Sequence, residues 1–277
     1  MKRTILITGC SSGIGRCAAV GMQARRWSVF ATARKPEDIA ALKAEGLAAL
    51  YLDYSKEDSI AAAAAEVFAT TDGKLDALFN NGAYGQPGAL EDVSTDVLRA
   101  QFEANFFGWH ELTRRVVPIM RRQRHGRIVM CSSVLGLIAM GFRGSYASSK
   151  FALEAYSDTL RIELENSGIA VSVIEPGPIR TRFTQNALAH ARKNIDVENS
   201  VHADYYRRRL HAMETGGVTT GELGPEAVLK ALVHACESGN PRPQYFVTWP
   251  THAMGALRRV APKRPLHAFL AWATKRG

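Results

Sequence analysis

Acidic residues run out at Glu237. From Ser238 to Gly277 the chain has no Asp or Glu, while Arg242, Arg258, Arg259, Lys263, Arg264, Lys275 and Arg276 remain. The formal charge of +9 over 277 residues therefore sits mostly in this tail, and the body is close to neutral. A near-neutral body argues against nucleic acid as a partner. Cysteine is scarce as well. Cys10, Cys17, Cys131 and Cys236 show no Cys-x-x-Cys spacing, which argues against a disulfide framework and reads as reduced, buried small residues of a cytoplasmic protein. Eight histidines fall in no metal-ligand pattern, so no metal site is expected. No apolar run reaches the roughly 18 residues that crossing a bilayer takes. The apolar stretch after Met1-Lys2-Arg3 is too short for a signal peptide.

What is present is ordinary globular material, 46% hydrophobic and 22% charged, which excludes disorder or coiled coil as the main architecture. Short apolar runs alternate with helical patterns along most of the chain. Strands are expected over 4–8, 28–33, 48–53, 75–80, 126–131, 169–174 and 244–247. Helices are expected over 14–26, 36–45, 55–70, 94–124 with an interruption or kink near Pro118, 145–167, and 225–238. This alternation predicts an α/β fold: a Rossmann-type doubly wound parallel sheet of about seven strands in a single domain over 1–248. Residues 178–222 have mixed polarity and weak periodicity and read as a substrate-loop insertion over a site. Residues 249–277 form a basic amphipathic C-terminal tail with Trp249, Leu257, Val260, Leu266, Phe269, Leu270 and Trp272 among its cations. A helix packed on the body with its charges in water is the plainer reading of that tail. Peripheral membrane contact is the second.

Between the first strand and the first helix lies Thr8-Gly9-Cys10-Ser11-Ser12-Gly13-Ile14-Gly15. Glycines there permit a tight turn and a close approach of backbone to phosphate, and the following helix offers unpaired N–H groups at its positive end. Gly9, Ser11, Ser12, Gly13, Ile14 and Gly15 are therefore the candidate pyrophosphate residues. At the end of the second strand, Thr32-Ala33-Arg34-Lys35 offers no carboxylate for ribose hydroxyls. Arg34 instead presents a guanidinium fork to a 2′-phosphate, so the expected cofactor is NADP(H).

The Gly-x-x-x-Gly-x-Gly spacing resembles the short-chain dehydrogenase/reductase family, and further motifs extend the likeness to about Thr181. Asn80-Asn81-Gly82-Ala83 follows the fourth strand, with the family's usual last two residues interchanged. Asn105, Ser133, Tyr146-Ala147-Ser148-Ser149-Lys150 and Pro176-Gly177-Pro178-Ile179-Arg180-Thr181 come in the family's order. The resemblance implies catalytic roles for Asn105, Ser133, Tyr146 and Lys150. It implies cofactor contacts for Asp53, Asn81, Tyr146, Lys150, Pro176, Gly177, Ile179 and Thr181, and a homodimer or homotetramer. Asp53 also reads more plainly as a cap for the segment after it.

Tyr146 and Lys150 stand one helical turn apart. A neighbouring ammonium and a cationic pyridine ring favour the phenolate and lower a phenol's pKa, which suits proton transfer to a carbonyl or from an alcohol. Ser133 is expected to hydrogen-bond the same substrate oxygen. The uncharged run Val134 to Phe142, with Phe183, Leu188, Tyr205, Tyr206 and Leu210 of the insertion, favours an apolar small-molecule carbonyl or alcohol. The early motif and Arg34 resemble 17β-hydroxysteroid and retinol dehydrogenase-like members, and 174–181 resembles bacterial aldehyde reductases. Oxidation of an apolar alcohol, and a dinucleotide-binding membrane-surface protein without turnover, are the competing readings.

Overall fold

The computed structural model describes residues 2–216 and 221–276. Seven parallel strands form one sheet in the order β3-β2-β1-β4-β5-β6-β7. They are β1 (Thr4–Ile7), β2 (Ser28–Ala33), β3 (Ala48–Tyr51), β4 (Ala77–Asn80), β5 (Gly126–Cys131), β6 (Ile169–Glu175) and β7 (Gln244–Phe246). Apolar residues run continuously through the central strands because helices cover both faces: Ile5, Leu6, Ile7, Ala77, Leu78 and Phe79 are all 0% exposed. β1 pairs with β2 on one side (Ile5 opposite Val29) and with β4 on the other (Ile5 opposite Ala77). Strand order reverses between β1 and β4, and a doubly wound sheet opens its ligand crevice at such a switch point.

The helices on the β1–β3 side are α1 (Gly13–Ala24), α2 (Pro36–Ala44) and α3 (Glu57–Thr70). Beyond β4 come α4 (Thr95–Phe102) and α5 (Gly108–Gln123). Pro118 does not interrupt the helix: α5 runs through it. The interruption falls instead at Glu103–Phe107, a π-helical turn that inserts one residue and turns Asn105 inward, where it is 0% exposed. α6 (Gly144–Glu163) carries Tyr146 and Lys150 on its buried side.

Residues 178–222 are more ordered than their composition suggests, with α7 (Phe183–Asn194) and α8 (Ala203–Thr215); residues 217–220 of that stretch lie outside the described residues. These helices bury only Ala187 and Ala191, and Tyr206 and Met213, so no broad apolar stripe announced them. The insertion is fastened to the loop after β4. Asn194 Nδ2 donates to Gln86 Oε1 at 2.7 Å, Ser200 Oγ donates to Asp92 Oδ2 at 2.7 Å, and the Tyr206 hydroxyl accepts from Ala89 N and donates to Asp92 Oδ2, each at 2.7 Å. α9 (Glu226–Glu237) packs on α1, where Leu229 covers Gly21. The tail forms α10 (Trp249–Val260) and α11 (Lys263–Arg276).

Candidate active site

The glycine-rich turn is built by close backbone approaches. Gly9 and Gly13 have φ of +70° and +55°, a region that suits glycine. A Cβ on Gly9 would stand 2.5 Å from Gly82 Cα, and one on Gly15 would stand 2.2 Å from the Gly9 carbonyl oxygen. Thr8 ties this turn to the loop after β4: its hydroxyl oxygen accepts from Asn81 N at 2.9 Å and Gly82 N at 3.1 Å. Ser12 is the N-cap of α1, yet its side chain makes no capping bond, and the first turn has no acidic residue. The helix end thus keeps donors and a positive dipole for an anion. Thr181 leans over Gly13, so the Pro176-Gly177 turn and the glycine-rich turn meet.

Arg34 is exposed beyond β2 and makes no ion pair among the described residues. Its charge reaches Tyr84 and His190, whose rings stack at 4.1 Å and join the loop after β4 to α7. Burial and Arg34 together hold the His190 imidazole below its ordinary pKa. Asp53 Oδ1 accepts from Ser55 N at 3.1 Å and Ser55 Oγ at 2.8 Å, a local turn ahead of α3 rather than the helix cap of the plainer reading, since the N-cap is Lys56 and carries no side-chain capping bond.

On the other side of the crevice, Tyr146 is buried, and Ser133 is placed to oppose the upward push that burial gives its phenol. Ser133 Oγ also accepts from Leu135 N at 3.1 Å, which fixes it at the end of β5. Lys150 is 1% exposed; Nζ donates to the Cys131 carbonyl at 2.7 Å and lies 4.4 Å from the Trp109 ring centroid and 5.6 Å from that of Tyr146. Asn105 stands one step back. Its carboxamide clamps Tyr84, accepting from N at 3.2 Å and donating to O at 2.9 Å, and approaches Ser149 Oγ at 3.4 Å. The four sequence candidates thus converge on one end of α6.

Burial pushes the Tyr146 phenol up, with the Ser133 hydrogen bond and the Arg143 charge opposing it, and the ammonium of Lys150 does not reverse this. Burial also pulls Lys150 down to about 8, against the Cys131 and Glu154 charges. The phenol is therefore a protonated acid at neutral pH. Arg143, at the start of α6, was absent from the sequence candidates. Nothing local marks it, because its neighbours Tyr205 and Arg209 come from α8. α8 is brought there by Tyr205, which stacks on Phe142 at 3.7 Å. Phe183 meets Tyr146 edge-on at 5.4 Å.

Behind Lys150 lie two acids, the half-buried Glu154 and the buried Glu175, also without a sequence signal. Glu175 is 0% exposed; Oε1 accepts from Gln244 Nε2 at 3.0 Å, and Oε2 has no partner among the described residues. Burial first, then the Glu154 charge, raises Glu175 from 4.5 to about 9. The folded chain then holds a proton that the unfolded chain has released, so this contribution to stability is complete below pH 4.5 and is lost as pH rises to about 9. Glu175→Gln should remove that slope. Melting temperatures taken from pH 5 to 9 should show the variant gaining steadily on the parent, and parallel curves would refute a buried proton.

The sequence pattern of the short chain dehydrogenase family matches residues 3–192. The chain belongs to that family. Among curated relatives of this short-chain dehydrogenase, the uncharacterized oxidoreductase YbbO of Escherichia coli (strain K12) is 43% identical over 270 residues, covering 98% of this chain and 94% of YbbO. Retinol dehydrogenase 8 of Homo sapiens is 35% identical over 251 residues, covering 86% of this chain and 79% of the relative. A solved short-chain dehydrogenase from Streptomyces avermitilis superposes with a TM-score of 0.82 at 26% identity, covering 97% of this chain and 96% of the other. These likenesses make the chain an oxidoreductase of the short-chain dehydrogenase family with its Rossmann-type sheet.

Proposed function

We propose that this chain interconverts a carbonyl and an alcohol on an apolar substrate with NADP(H). The observation that carries the reading is the gathering of buried Tyr146 and Lys150, with Ser133 at the end of β5 and Asn105 behind them, at one end of α6, across from the glycine-rich turn. NADP(H), when bound, supplies or accepts the hydride. The donor set fits it: an α1 terminus with no acid and no side-chain cap suits a pyrophosphate, and the exposed Arg34 suits a 2′-phosphate. Ser11, Ser12, Gly13, Ile14 and Gly15 would hold the phosphates. Asp53 would face the adenosine, and Asn81, Pro176, Gly177, Ile179 and Thr181 the opposite end. Lys150 would bind ribose hydroxyls.

Tyr146 then gives its proton to the carbonyl oxygen as that oxygen gains charge, and Ser133 donates to the same atom. Asn105 keeps the backbone of Tyr84 in place and can hold a water that resupplies the proton. Phe183 and the Phe142–Tyr205 stack give the substrate an apolar wall. Retinol dehydrogenase 8 among the relatives agrees with an apolar substrate class. The test is an NADPH-oxidation screen over aldehydes, ketones, steroids and retinoids. Turnover of apolar carbonyls is expected, and consumption of none would overturn the reading.

Arg34→Ala tests the cofactor choice. Losing a charged contact of about 1–3 kcal/mol should lower kcat/KM for NADPH roughly 5- to 150-fold. The value for NADH should change little. Equal losses with both coenzymes would assign Arg34 a structural role.

A further inference from the structure

We infer that α10 and α11 dock this protein on an anionic lipid bilayer, with the substrate-side segment 137–142 next to the docking face. This goes beyond the catalytic proposal and stands independently of it. α11 has two distinct sides. Leu270 and Thr274 are buried one turn apart, and Leu266 is half-buried on the same side. Phe269 and Trp272, 40% and 51% exposed, stack on each other at 5.9 Å on another side. Pro265 and Ala268 lie on that exposed side too, and Val260 at the end of α10 is 80% exposed. An aqueous helix does not gain from showing a stacked aromatic pair to water; an interfacial helix gains by inserting it to the level of the lipid headgroups.

Charge selects the kind of surface. Arg259 on α10 and Lys263, Arg264 and Lys275 on α11 are exposed, and none makes an ion pair among the described residues. The chain supplies no acid after Glu237 to neutralise them locally. Cations flanking an apolar ridge complement phosphate headgroups of an anionic leaflet. No helix among the described residues is long and apolar enough to cross a membrane, so the contact is peripheral.

The same helices touch the substrate side of the site. Thr274 Oγ1 accepts from Gly141 N at 3.2 Å, and Arg258 stacks over Phe151 while donating to the Leu137 carbonyl. Gly141 thus meets α11, and the next residue, Phe142, meets Tyr205 of α8. A bilayer under α11 lies beside the apolar wall, from which a lipid-dissolved substrate enters with a short path through water.

The full chain is to be floated with vesicles of phosphatidylcholine alone and of phosphatidylcholine with one-third phosphatidylglycerol, at low and high salt. Binding is expected on the anionic vesicles at low salt, at least tenfold weaker on the neutral ones and at high salt. Phe269→Ser/Trp272→Ser and, separately, Arg259→Gln/Lys263→Gln/Arg264→Gln/Lys275→Gln should each cut that binding tenfold or more, with melting temperatures reported alongside. A readout on the unaltered chain guards against misfolded variants: tryptophan emission should shift to the blue on anionic vesicles and be quenched by brominated lipid. Failure to float with anionic vesicles, or emission unchanged by them, would overturn the inference. So would vesicle binding that both variants retain, or variants that change only the oligomeric mass in sedimentation, which would make the face a contact between copies.

Discussion

Tyr146→Phe is expected to lower carbonyl reduction about 10²- to 10⁴-fold, the usual contribution of a positioned proton donor, while NADPH binding followed by fluorescence changes only a few-fold. The substitution removes one oxygen from a buried ring and keeps its packing against Phe183, 5.4 Å away, and against Lys150 Nζ, 5.6 Å away. Ser133 keeps its bond from Leu135 N at 3.1 Å, so the end of β5 should hold its shape. Direction matters as well. Burial keeps the phenol protonated well beyond neutrality, so the reduction rate of the parent enzyme should stay nearly flat from pH 6 to 8. Oxidation of the matching alcohol needs the phenolate and should rise over the same range. A Tyr146→Phe variant retaining more than a tenth of the reduction rate would place the proton donor elsewhere.

The parts of this molecule that the sequence makes legible share a physical property: their signals are local. β1 and β4 announce themselves because strands covered on both faces must be apolar throughout, as Ile5-Leu6-Ile7 and Ala77-Leu78-Phe79 are. The glycine turn is legible because backbone contact with Gly82 and the Gly9 carbonyl leaves no room for a side chain. Tyr146 and Lys150 are legible because one helical turn brings them to the same face. What stayed hidden depends on contacts between distant segments. Arg143 matters because α8 delivers Tyr205 and Arg209 to it. Glu154 and Glu175 look like ordinary acids until α6 and β6 bring them together, half-burying the first and burying the second. The π turn at Glu103–Phe107 carries Asn105 to its bonds with the distant Tyr84, and Pro118, the visible breaker, does not end α5. The order Gly82-Ala83 also finds its reason only in space: Gly82 faces Gly9 and Tyr54, at 3.2 Å and 3.3 Å from a Cβ placed on it, while Ala83 packs partly into the core.

Gly9→Ala should be the most damaging single methyl in the crevice. The new Cβ would sit 2.5 Å from Gly82 Cα and 3.0 Å from Gly82 N, both backbone atoms, at a φ of +70°. Gly82 has little freedom to retreat. Its N–H donates to Thr8 Oγ1 at 3.1 Å, its carbonyl accepts from Trp109 Nε1 at 2.9 Å, and Asn81 Nδ2 donates to Thr8 O at 2.9 Å. Relief therefore means breaking bonds that join β1 to β4 at the switch point. The combined left-handed strain and overpacking should cost about 2–4 kcal/mol, a fall of roughly 5–15 °C in melting temperature for a chain of this size. NADPH affinity should drop with it, since the turn displaced is the one proposed to face the pyrophosphate. Gly73→Ala separates the two causes: its φ is +69°, but no atom lies within 4 Å of the added carbon. That variant should lose only the backbone share, about 1–2 kcal/mol, with NADPH binding untouched. Similar losses at both positions would mean that the approach of Gly9 to Gly82 contributes nothing.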